Sequence, residues 1–167
     1  MPKTITALFN TRDEVEKALS KLDNAGFTKD QVSMLVSEEG RGKHFAIVEG
    51  RKTGAGATTG AAIGGLMGAL YLSLASAGTL LVPGLNLVVT GALIGSLVGF
   101  GAGAATGGLI GALVGLGIPE HEAKLYDEKI RGNAILLAVE AADDTDAERV
   151  KTILEGTSAE SITALAA

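Results

Sequence analysis

The chain has 167 residues, no cysteine, 4% aromatic residues and a formal net charge of −5. The missing cysteines exclude a disulfide framework, a thiolate nucleophile and a cysteine metal site. An acidic chain without clustered Lys and Arg argues against nucleic-acid binding, and its length suits one compact unit or a small soluble domain with a membrane hairpin.

Met1 to Phe9 lacks a basic start followed by an apolar core, so no cleavable signal peptide is expected. Lys3 to Phe9 instead alternates as a strand would, with Ile5, Ala7 and Phe9 on one face. Thr11 and Glu14, three apart, form a capping box ahead of Val15, Ala18, Leu19 and Leu22 at helical spacing, with Gly26 as the stop. Val32 to Ser37 predicts a second strand. The polar turn Glu38 to Lys43 and the short apolar run Phe45 to Val48 follow, the latter as a possible hairpin strand.

From Thr53 to Ile118 there is no Asp, Glu, Lys, Arg or His; all charged residues lie in 1–52 or 119–167. Glycines recur every fourth residue in this stretch, first at Gly56, Gly60, Gly64 and Gly68. A longer series follows at Gly91, Gly95, Gly99, Gly103, Gly107, Gly111 and Gly115. In a water-exposed helix each glycine costs roughly 1 kcal/mol. In lipid, small residues let helix backbones approach closely while every backbone group pairs internally. About 20 apolar residues cross a bilayer, so the stretch predicts two membrane helices, near Thr58 to Ala77 and Leu87 to Leu116, broken at Pro83-Gly84. The alternative is a glycine-rich helix pair buried inside a soluble oligomer.

Basic residues flank the stretch: Arg41, Lys43, Arg51 and Lys52 before it, Lys124, Lys129 and Arg131 after it. The positive-inside rule then predicts a multi-pass protein of the cytoplasmic membrane with both termini in the cytoplasm. The first four are also candidates for contact with anionic lipid headgroups. A step of four residues advances about 40° around a helix, so the series from Gly91 to Gly115 winds through about 240°. One partner helix cannot cover that surface, and a homo-oligomer is expected.

Beyond the stretch, Pro119 suits a first helical turn, with Glu120 and Glu122 near its positive end. Ala123, Tyr126 and Ile130 predict the buried stripe of that helix and Gly132 its stop. Ala134 to Val139 predicts an apolar strand, Asp143 to Asp146 an N-cap, and Val150, Ile153 and Leu154 a last helix ending at Gly156. Ser161 to Leu165 predicts a final strand. The chain thus reads as α+β, a ferredoxin-like βαβ followed by αβαβ. Residues 1–52 and 119–167 form its halves, and 53–118 is an inserted transmembrane hairpin.

The run Gly115-Leu116-Gly117-Ile118-Pro119-Glu120-His121-Glu122-Ala123-Lys124-Leu125-Tyr126 continues through Ile130-Arg131-Gly132 into Ala134 to Val139. It resembles a block of the bacterial general stress protein family, small heat-induced or low-temperature-induced membrane proteins. The apolar centre with Leu81-Val82-Pro83-Gly84-Leu85 is similar as well, while Leu125 stands where the family carries a second tyrosine. The resemblance implies a stress-associated membrane protein and brings no catalytic residues.

Candidate chemistry is sparse. His121 lies between Glu120 and Glu122, but adjacent helical residues point about 100° apart and do not converge on a metal. His44 belongs to the basic stretch before the apolar centre. Asp143, Asp144 and Asp146 lack the glycine and distant glutamate of a calcium loop. No Ser-His-Asp set, phosphate loop, metal or cofactor site is expected. The expectation is a non-enzymatic, self-assembling scaffold that contacts lipid. An oligomeric pore along Thr90, Ser96 and Thr106, or a tethered small-ligand sensor, are the alternatives.

Overall fold

A computed structural model of the chain describes residues 2–37, 39, 80–82, 87–91, 108–111, 113–115 and 117–166. Strand β1 (Lys3–Phe9) leads into helix α1 (Arg12–Asn24). Thr11, in extended backbone, accepts from the Glu14 amide, and the Glu14 carboxylate accepts from the amides of Asn10 and Thr11 at 3.0 and 3.3 Å. The expected capping box is therefore made in full. The helix ends with Gly26 at φ +93°, its amide donating to Asp23 and that of Phe27 to Leu22. This is a Schellman stop, and glycine enters its left-handed backbone without a Cβ penalty. A 3-10 turn, Lys29–Gln31, feeds strand β2 (Val32–Ser37).

In the C-terminal half, helix α2 (Glu120–Arg131) is followed by β5 (Ile135–Ala141), α3 (Asp144–Glu155) and β6 (Glu160–Ala166). Pro119 is the N-cap of α2 and makes no side-chain cap bond. Asp143 caps α3, accepting from the Asp146 amide at 2.8 Å, as its place before the helix predicts. The C-cap of α2 is Gly132, as expected, and the left-handed residue follows it at Asn133, φ +72°.

The framework is an antiparallel four-strand sheet in the order β2-β5-β1-β6. β5 pairs with β1 from Phe9↔Ile135 to Lys3↔Ala141, and with β2 from Val32↔Val139 to Leu35↔Leu136. β1 and β2 are not neighbours, so the N-terminal half has no sheet of its own until β5 lies between them. Helices α1 and α3 cover one face, where Ile5, Ala7, Phe9, Val32, Met34, Val36, Leu137 and Val139 form the larger core with Val15, Leu22, Val150 and Leu154. On the other face Leu8, Leu35, Leu136 and Leu165 pack with Tyr126 and Ile130 of α2, and with Leu109, Leu113 and Ile118.

That second core redraws the end of the uncharged stretch. Leu109, Leu113 and Ile118 lie where a membrane helix to Leu116 and a boundary at 118 are expected, yet they are buried on the sheet. Residues 108–111 and 113–115 are helical. The turn closes as a Schellman motif: Gly117 at φ +94° donates to Val114, and Ile118 donates to Leu113. Its flanking pair, Leu113 and Ile118, are both in the core. An uncharged apolar residue has the same pattern against lipid or against a sheet, and the sequence alone does not separate them.

Two short strands, β3 (Leu80–Val82) and β4 (Leu87–Gly91), extend the sheet beyond β2, with Ser37↔Leu87 to Ser33↔Gly91 in register. The helix expected from Leu87 therefore does not begin there. The run Leu87-Val88-Val89-Thr90 favours extended backbone through its β-branched residues. The first expected membrane helix, Thr58 to Ala77, the run Phe45 to Val48 and residues 92–107 lie outside the described residues. Among the described residues no helix is long and apolar enough to cross a membrane.

Leu137 is wholly buried in the central strand, so Leu137→Ala should cost about 2–5 kcal/mol. Removing the capping box with Thr11→Ala should cost about 1 kcal/mol. Urea unfolding of the full chain, followed by circular dichroism, should rank the two in that order; the reverse order would contradict β5 as the keystone.

Candidate functional site

The densest polar cluster among the described residues lies under α2. Tyr126 has no exposed surface, and its hydroxyl donates to the Ser161 carbonyl at 2.6 Å. Thr163 Oγ1 lies 3.1 Å away and donates to Glu122 Oε2 at 2.8 Å. Thr6, also buried, completes the group with its Oγ1 3.3 Å from the tyrosine oxygen. One assignment of protons satisfies all the groups: tyrosine to Ser161, Thr163 to Glu122, and Thr6 to tyrosine.

The cluster has a structural cause. Along β1 and β6 the register runs Thr6↔Thr163 and then Leu8↔Glu160, two residues on one strand against three on the other. This is a β-bulge, and Ser161 takes the left-handed backbone within it, at φ +52°. A bulge removes ladder bonds, and the Tyr126 hydroxyl supplies a partner to the Ser161 carbonyl. The tyrosine is sealed from solvent, so no substrate reaches it and the arrangement serves packing rather than acid–base chemistry.

At the rim of the same bulge, Glu160 accepts from Asn10 Nδ2 at 2.9 Å and pairs with Lys129 at 3.1 Å. The Asn10 hydrogen bond, followed by Lys129, holds the Glu160 carboxyl below its ordinary value of 4.5. On the opposite face, Lys21 donates to the Gly156 carbonyl at 2.7 Å and Arg149 donates to the Ala25 carbonyl at 2.8 Å. The Arg149 guanidinium also lies 5.5 Å over the Phe27 ring, a cation–π contact. These bonds tie the ends of α1 and α3 together. An open groove along α3, lined by Asp144, Thr145, Glu148, Arg149, Thr152 and Ile153, presents no enclosed site.

The sequence-predicted residues separate into described and undescribed groups. Gly91 closes β4 opposite Ser33, and Gly111 and Gly115 lie in the helical turns before α2. Gly56, Gly60, Gly64, Gly68, Gly95, Gly99, Gly103 and Gly107 lie outside the described residues, as do Arg41, Lys43, His44, Arg51 and Lys52. His121 is 82% exposed, and its Nε2 is 3.9 Å from Glu122. Asp144 pairs with Lys3 at 2.9 Å. Among the described residues no cluster of His, Cys, Asp or Glu is arranged to hold a metal ion.

Sequence reasoning places Tyr126 in an apolar stripe and misses its hydroxyl partners. Thr6, Tyr126 and Thr163 are far apart in the chain, and no spacing rule joins them. Comparison of the chain with family models, curated proteins and solved structures finds no match.

Tyr126→Phe should cost about 1–3 kcal/mol, because it leaves the Ser161 carbonyl without its partner. Native-state hydrogen exchange should accelerate at β6 amides before those of β5; uniform acceleration would mean the hydroxyl does not hold the bulge. The Glu160 pairing carries a pH signature with a definite sign. A carboxylate depressed in the folded state adds stability above its unfolded value, and this is lost as pH falls through the lower folded value. In the Asn10→Ala, Lys129→Met double variant, the Glu160 carboxyl followed by NMR should titrate at a higher pH than in the parent, with the acid-side loss of stability correspondingly smaller.

Proposed function

We propose that this is a non-enzymatic membrane scaffold. A ferredoxin-like domain lies at the cytoplasmic face, split by a glycine-rich hairpin through which copies of the chain associate. The observation that carries it is the uncharged, glycine-periodic stretch from Thr53, held between two chain segments that close into a single sheet. A segment anchored at both ends to one domain must leave and return on the same side, which requires an even number of crossings. The strand order β2-β5-β1-β6, with α1 and α3 on one face, agrees with a ferredoxin-like sandwich. Glycine at every fourth position suits close helix contact in lipid, and Arg41, Lys43, Arg51 and Lys52 suit an anionic inner leaflet. The resemblance to the general stress protein family supports a stress-associated role.

The strands β3 and β4 favour a second arrangement. Leu87–Gly91 pairs with β2 and Leu80–Val82 pairs with Leu87–Gly91, which opposes a bilayer crossing between Val82 and Leu87; in this arrangement the glycine-rich segments pack between copies of the chain. The two arrangements put Gly84 in opposite compartments.

The chain has no native cysteine, so a single Gly84→Cys variant is a clean reporter. In the membrane arrangement an impermeant maleimide labels it in intact spheroplasts, whereas Lys151→Cys on α3 reacts only after lysis. Labelling of Gly84→Cys only after lysis would overturn the hairpin. Gly99→Leu and Gly103→Leu should each reduce the protein mass of the particle in mild detergent, measured by light scattering; an unchanged mass in both would remove the glycine contacts from the assembly.

A further inference from the structure

Strand β4 is fixed to β2 in register from Ser33↔Gly91 to Ser37↔Leu87, and β3 is fixed to β4. Downstream, Leu109 and Leu113 are buried on the second face of the same sheet. The uncharged stretch is thereby divided into two excursions, each of which returns to the sheet it leaves. A return to one side of a bilayer takes two crossings, about 40 apolar residues. Between Gly91 and the helical turns that begin at Gly108 lie 92–107, which are 16 residues. As a helix they reach about 24 Å, short of the hydrocarbon core of about 30 Å even once. Ahead of β3 the charge-free run 53–79 has 27 residues, enough for one crossing and too few for two.

We infer that the pairing of β4 with β2 and a bilayer crossing by the uncharged stretch exclude each other, so that β4 decides which arrangement the chain is in. The same five residues fit both. On β2 the run Leu87-Val88-Val89-Thr90-Gly91 bonds its backbone across the strands, and its β-branched residues suit that backbone. Carrying no charge, it is also admitted to lipid, where its backbone groups have to pair within one helix. With β3 and β4 released, 53–107 is one uncharged run of 55 residues, long enough for the two crossings that the separate excursions do not allow. The strand order β2-β5-β1-β6 contains neither β3 nor β4, so the domain keeps its framework either way. The paired state stands on the sheet alone; the crossing state rests on the membrane reading proposed above.

The chain has no native cysteine, so introduced pairs report the register in the full-length protein. A short bifunctional maleimide is added to cell lysate, the membranes are extracted with alkaline carbonate, and linked tryptic peptides are read by mass spectrometry. In Ser37→Cys/Leu87→Cys the linked molecules should appear in the soluble fraction or the extract and be lost from the resistant pellet. Thr4→Cys/Glu140→Cys, opposite each other on β1 and β5, should link in every fraction that holds the protein, which checks folding and reagent access. Ser37–Leu87 links as frequent in the resistant pellet as in the extract would overturn the inference, and so would their absence wherever the control pair links. The membrane reading is judged separately by the control molecules. Their complete release by carbonate would end that reading, while Ser37–Leu87 links in the released protein would still bear out β4 on β2 as the state that stays off the bilayer.

Discussion

The described domain depends on β5. Its residues Ile135 to Val139 are buried throughout, and on its two edges it pairs with β1 and β2. A strand buried on both faces and hydrogen-bonded on both edges loses packing and ladder bonds together if displaced. The N-terminal half cannot substitute for it, since β1 and β2 are never adjacent. The two ends of the chain are therefore one folding unit, and whatever lies between is held at both ends.

This constraint shapes how the two faces close. One receives α1 and α3, whose apolar stripes meet β1, β2 and β5. The other is closed by α2 and by Leu109, Leu113 and Ile118, at the end of the uncharged stretch. The same stretch thus contributes to the core of the sheet domain before the chain enters α2. On that face Tyr126 joins apolar packing to a polar task. Its ring fills the core while its hydroxyl serves the bulged carbonyl of Ser161. Burying a hydroxyl is unfavourable without a partner, and the bulge provides one.

Charge plays a lesser part. The ion pairs, Lys3–Asp144, Lys124–Glu120 and Arg131–Asp127 among them, are surface contacts screened by solvent. No described group combines burial, a charge partner and access to solvent in the way a catalytic residue needs. The feature that stands out in the sequence is the charge-free, glycine-periodic stretch from Thr53 to Ile118.

Much of the domain was legible in order of residues. Alternation marked β1, Thr11 and Glu14 announced the start of α1, the cap candidates Asp143 to Asp146 that of α3, and Ala123, Tyr126 and Ile130 the inward stripe of α2. These are local signals, because capping and amphipathic periodicity act over three or four residues. Gly132 closed α2 as expected, with Asn133 taking the left-handed position after it. What the sequence could not state was which surface an uncharged residue meets. Leu109 and Leu113 look the same against lipid or a sheet, and the apolar run from Leu87 reads as a helix although its β-branched residues favour the strand it forms. Nor could it join Thr6, Tyr126 and Thr163, whose meeting depends on the strand order and on one extra residue in β6. By itself the sequence determined the elements of the two charged halves, their caps and the charge-free centre, because these follow from neighbours along the chain. The tertiary structure decided the strand order, the closing of the second face and the buried hydroxyl network, because hydrogen-bond pairing and burial are satisfied between residues the chain keeps far apart.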